Sequence, residues 1–168
     1  MFLRIFCSLS LIFILSCAKP PTIKKPVERQ KTFNSPFERV WDETITILVK
    51  SGAVLGNLNK DLGLIVCELI LSPSQLRESV LVGGGAPLYG RGSQGRCKMN
   101  ILIKKVDKNH TDVFLNCKFL LEVYSSFGGK LGEAYLDSNG KIERDFFTKL
   151  AIALGEKHYK WLEKQQSP

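Results

Sequence analysis

The sequence predicts a two-layer α+β domain, an antiparallel sheet of about four to five strands with two helices packed on one face. Two amphipathic stripes with helical spacing lie near the two ends of the domain. Between them, two long segments alternate apolar and polar residues, so one sheet face is dry and the other wet. Two striped helices and a one-faced sheet bury the most apolar surface when both helices cover the dry face.

The first helix is predicted over 36–51. Phe37, Val40, Trp41, Thr44, Ile45 and Leu48 recur on one helical face. Ser35-Pro36-Phe37-Glu38 has the form of a capping box, with Ser35 as N-cap and Pro36 in the first turn. Gly52 supplies the stop. Short strands follow at 53–58 and 64–71, joined by the turn Asn59-Lys60-Asp61. In the strand predicted over 97–106, Cys97, Met99, Ile101 and Ile103 face one way and Lys98, Asn100 and Lys104 the other. After the polar turn at 107–110, Val113, Leu115, Cys117, Phe119, Leu121 and Val123 share one face of a long strand. Asp137-Ser138-Asn139-Gly140 then turns the chain into a last helix, striped by Ile142, Phe146, Leu150, Ala153 and Leu154 and ended by Gly155.

Residues 1–16 read as a lipoprotein signal peptide. Arg4 precedes an apolar run from Ile5 to Leu15 that is too short to span a bilayer, which takes about 20 residues. The run closes on Ile14-Leu15-Ser16-Cys17, which resembles the lipobox of bacterial lipoproteins. That resemblance implies an acylated Cys17 as mature N-terminus, with fatty chains such as palmitate holding the protein on a membrane. The lipobox and Ala18, with no aspartate after the cysteine, imply the periplasmic face of the outer membrane.

Residues 17–31 read as a flexible basic tether, with Lys19, Lys24, Lys25, Arg29 and Lys31 against the single acid Glu28 among three prolines. The mature chain has 23 lysines and arginines against 16 acids, a net charge of +7, and this short stretch supplies +4 of it. A cationic segment beside a bilayer is drawn to anionic headgroups. The domain itself, 32–168, shows no arginine stripe interleaved with aromatics, so no nucleic-acid partner is expected.

A glycine-rich loop is predicted at 72–96, with six glycines in 83–95. Gly90-Arg91-Gly92-Ser93-Gln94-Gly95 matches the dinucleotide motif literally, but it lacks the strand before and the helix after that the motif requires. Leu81, Val82, Leu88 and Tyr89 are instead candidates for contact with a partner.

Neither histidine, His110 or His158, belongs to a metal-ligand spacing, and no metal or cofactor is expected. Cys67, Cys97 and Cys117 alternate with apolar residues and read as buried thiols. In an oxidising compartment two of the three could pair. Asp42, Glu43, Glu143 and Asp145 read as solvated faces, so no acid–base pair stands out and no catalytic role is expected.

The string Pro36-Phe37-x-x-Val40-Trp41, then Asp61-Leu62-Gly63-Leu64-Ile65-Val66, then Gly140-Lys141-Ile142 through Leu150, resembles the BamC-like lipoproteins over roughly 36–154. The resemblance implies a helix-grip-like domain without catalytic residues, working beside the outer-membrane β-barrel assembly machinery. The expected function is a non-enzymatic interaction or scaffold module with an envelope protein as partner. The alternative is a lipoprotein that binds a small apolar ligand or lipid between helices and sheet, in a pocket lined by Phe119, Leu121, Phe146 and Leu150.

Overall fold

The strand pattern closes into one antiparallel sheet in a computed structural model of the chain. The structure describes residues 27–80, 95–124, 127 and 129–156. Six strands are present: β1 (Gln30–Phe33), β2 (Val54–Asn59), β3 (Leu64–Leu71), β4 (Gly95–Lys105), β5 (Thr111–Tyr124) and β6 (Lys130–Leu136). Three helices accompany them: α1 (Phe37–Lys50), α2 (Pro73–Ser79) and α3 (Lys141–Ala153). The class is α+β as expected, with one strand and one helix more.

The sheet order is β1-β5-β4-β3-β2, and β6 also pairs with β5. β4 and β5 run in unbroken register from Gly95↔Leu121 to Lys105↔Thr111. β1 occupies the start of the other side of β5, at 111–114, and β6 its end, at 119–124. Cys97, Met99, Ile101 and Ile103 of β4 meet Val113, Leu115, Cys117, Phe119 and Leu121 of β5 on the buried face. Residues of α1 and α3 cover that face, with Val40, Trp41, Leu48, Phe146, Phe147 and Leu150 in the same core.

The start of α1 departs from expectation. Pro36, not Ser35, is its N-cap, and no side chain caps it. The Ser35 carbonyl instead accepts the buried Thr111 hydroxyl at 2.8 Å, which ties the helix entrance to β5. A true capping box lies at α2, where Ser72 N donates to Gln75 Oε1 at 2.9 Å and Gln75 N donates to Ser72 Oγ at 3.3 Å. Ser72-Pro73-Ser74-Gln75 therefore starts a helix inside the segment expected to be loop. Its Leu76 is fully buried and packs over Gly95, where a Cβ would stand 2.6 Å from Leu76 Cδ2.

Two further boundaries shift. β1 takes in Gln30 and Lys31, the last two residues of the segment read as tether. β6 is not among the expected strands, because Gly132 interrupts its inner face, where Ala134 and Leu136 pack on the core. No helix among the described residues is long and apolar enough to cross a membrane.

Gly52 and Gly63 both hold positive φ, at 77° and 65°, but their surroundings differ. A Cβ on Gly52 would meet nothing within 4 Å, whereas one on Gly63 would stand 1.9 Å from the Ile103 carbonyl oxygen. Gly63 also carries the carbonyl that accepts Ile103 N at 2.8 Å. Gly52→Ala is expected to cost about 1–2 kcal/mol, the left-handed penalty alone. Gly63→Ala should cost more, because the β4 backbone must also move. Urea denaturation of the two variants checks the order.

Candidate functional site

A groove of about 670 Å³ opens above the end of β3. That volume lies within the range of small-molecule sites, about 300–1,000 Å³. Its floor is Leu69, Leu71 and Met99, three inward-facing residues of β3 and β4. One wall is Ile47 and Leu48 from the last turns of α1, and the other is Ile142 and Phe146 from the start of α3. Gln75, Glu78 and Ser79 of α2 close one end. Lys50, Lys141, Lys149 and Asp145 stand around the opening.

The closed end is latched by polar contacts between α2 and the turn before α3. Val80 and Ser138 form an isolated bridge, and Asn139 N donates to the Ser79 carbonyl at 3.0 Å. Asn139 Nδ2 donates to the Glu78 carbonyl at 2.6 Å, and Lys141 forms an ion pair with the Glu78 carboxylate. The hydrogen bond to Glu78 holds the Lys141 ammonium above its usual pKa. Lys50 and Lys149, by contrast, have no ion-pair partner among the described residues.

Glu143 corrects the expectation of a solvated carboxyl, since the residue is 0% exposed. Its Oε2 accepts the Ser138 hydroxyl at 2.7 Å, and its Oε1 has no hydrogen-bond partner. Ser138 Oγ in turn accepts Gly140 N at 3.0 Å, and Asn139 Oδ1 accepts Lys141 N at 2.9 Å. Two of the free N–H groups at the start of α3, those of Gly140 and Lys141, are thus met by the turn that precedes it, since Gly140, the N-cap, has no side chain to do so.

The three thiols line the inner face of β3, β4 and β5. Cys67 is opposite Met99, Met99 opposite Cys117, and Cys97 opposite Phe119, so Cys97 lies diagonal to both other cysteines. All three are buried and free. Burial, then the neighbouring Cys97, pushes the Cys67 thiol from an ordinary 9.0 up to about 12. Cys117 moves the same way, first through its hydrogen bond with Cys97 and then through burial. These buried thiols pack as small apolar groups.

The residues named from sequence fall elsewhere than the groove. Cys17, Leu81, Val82, Leu88 and Tyr89 lie outside the described residues. Of the four pocket candidates, only Phe146 lines the groove. Phe119, Leu121 and Leu150 are 0%, 2% and 0% exposed, sealed in the packed core. No group of His, Cys, Asp or Glu among the described residues could hold a metal ion. Sequence reasoning missed Lys50 and Lys149, whose signal was their place in the helices beside Ile47 and Phe146.

No family model matches the chain, and no curated protein matches it. Among solved structures, the chain is similar to the adenylate sensor of AMP-activated protein kinase, crystallised with an aminoimidazole-carboxamide ribonucleotide. That match has 10% identity and a TM-score of 0.44, covering 78% of this chain and 99% of the other. It is also similar to a DUF4468 family protein from Bacteroides ovatus, at 13% identity and a TM-score of 0.43, covering 84% of this chain and 92% of the other. Both TM-scores lie below 0.5, and neither likeness bears on function.

Two outcomes are expected. Ser138→Ala removes the hydroxyl that serves both Glu143 and Gly140 N, and should lower stability by about 1–3 kcal/mol in denaturant titrations. Stability should also fall as pH rises from 9 toward 12. The unfolded Cys67 releases its proton near 9.0 while the folded one keeps it to about 12, so the unfolded state binds fewer protons in that window. Below pH 9 this thiol adds no pH dependence. Cys67→Ala should flatten the alkaline slope in denaturation midpoints measured across that window.

Proposed function

We propose that this chain is a bacterial envelope lipoprotein: a non-enzymatic interaction module, leashed through acylated Cys17, that receives its binding partner in the groove between α1, α2 and α3. The groove is the observation that carries the reading. It combines an apolar floor with a charged rim, the composition of a binding site. Its place on the domain supports the tethered part of the proposal. Val27, the first described residue of the segment read as tether, packs against Gly140, where an added Cβ would lie 3.4 Å from its methyl groups. Gly140 immediately precedes Lys141 on the groove rim, so the tether joins the domain beside the opening.

The outer membrane is the proposed location, and its biogenesis the proposed setting, in line with the resemblance to BamC-like lipoproteins. Two or more acyl chains on Cys17 would hold the module stably, whereas one chain binds only marginally.

Cell fractionation with intact-mass measurement tests the anchor. The native chain is expected in the membrane fraction, beginning at Cys17 and carrying fatty acyl mass. Cys17→Ala should shift it to the soluble fraction without acyl mass. A native chain recovered soluble and unacylated overturns the proposal.

A further inference from the structure

We infer that the groove receives an anionic amphiphile from the bilayer, its acyl chain lying over Leu69, Met99 and Ile142 and its headgroup held by Lys50 and Lys149. The inference rests on the binding role proposed above and names the ligand class. Three observations support it.

The floor and both walls of the groove are apolar side chains, which suit a hydrocarbon chain. Its rim carries three lysines against two acids, and the charges are not evenly matched. Glu78 is taken by Lys141, and Asp145, whose charge also acts on Lys141, is the one other acid on the rim. Lys50 and Lys149 are exposed and hold no ion pair among the described residues, so an anionic headgroup meets cations that need no prior contact broken. The third observation is distance. Val27, at the groove end of the domain, is ten residue steps from Cys17, and a chain of that length spans at most about 35 Å when extended. The opening therefore stays within reach of the leaflet that holds the anchor.

The test uses the full chain made in a two-membrane bacterium, with p-benzoylphenylalanine placed at Ile142 on one wall of the groove. Ser51, on the opposite side, serves as a second probe position should the first disturb packing. Leu102, 40% exposed on the outer sheet face, is the control. After irradiation of intact cells, the purified chain is weighed intact. Phospholipid adducts are expected at 142 and 51 and not at 102. Each of Lys50→Glu and Lys149→Glu should lower the adduct yield by at least about fivefold, the effect of losing one cation beside an anionic surface, with the added carboxylate acting in the same direction. Lipid adducts equal at 102 and 142, or unchanged by both lysine reversals, overturn the inference. A protein adduct at 142 and 51 overturns the amphiphile but leaves the binding role of the groove standing. Chains weighed without adduct at either position overturn both.

Discussion

The pairing of β4 with β5 is the constraint on which the rest of the structure depends. Eleven consecutive partners run without a bulge, and every second one faces the helices. Because side chains alternate strictly along a strand, a slip of one residue would turn Cys97, Met99, Ile101 and Ile103 to solvent and bring Lys98, Asn100 and Lys104 inward. β3 and β4 also pair without a shift, from Leu64↔Leu102 to Leu71↔Gly95, but over a shorter run. β2 and β3 shift register between Leu55 and Asn57, and β5 and β6 shift at Val123/Tyr124. The dry face built by β4 and β5 fixes where α1 and α3 must lie, and Phe33 of β1 joins them there through its ring contact with Phe147 at 6.3 Å.

What was legible in the sequence was whatever repeats with a period. The α1 stripe, the β4 and β5 alternation and the Gly52 and Gly155 stops carry the class and most of the core, because burying one face imposes that period over many residues. What stayed hidden depends on single contacts between distant segments. Ser35 and Ser72 both precede proline and stand three residues before a Glu or Gln, yet only Ser72 caps. The Ser35 carbonyl is claimed by Thr111, a residue 76 positions away. Glu143 looked like an ordinary acid of a helix start, and nothing local says that Ser138 will draw it inside.

The groove was illegible for a related reason. Sequence identifies residues that are buried, and by that measure Phe119, Leu121 and Leu150 were sound choices. They lie inside the packed core and away from the groove, whereas Met99 and Leu48, as deeply buried, border it. A groove is instead lined by residues at the ends of elements, where coverage stops: the last turns of α1, the first turns of α3 and the end of β3. Their exposure depends on how far the next element reaches, which periodicity does not encode.

The short α2 is where these points converge. Seven residues span about two turns, too few to be stable as an isolated helix. It is held by its capping box, by Leu76 against Gly95, and by the contacts of Glu78 and Ser79 with Asn139 and Lys141. The same turn, 137–140, caps α3 through Ser138 and Asn139. One polar turn thus sets both the start of a groove wall and the position of its closed end, and the buried Glu143 carboxyl fixes the serine at its centre. A buried carboxyl with one oxygen unpartnered is costly in a domain of this size. Its place here is intelligible because the hydroxyl it orients organises the wall and the closed end of the groove, which α1 and the sheet do not form.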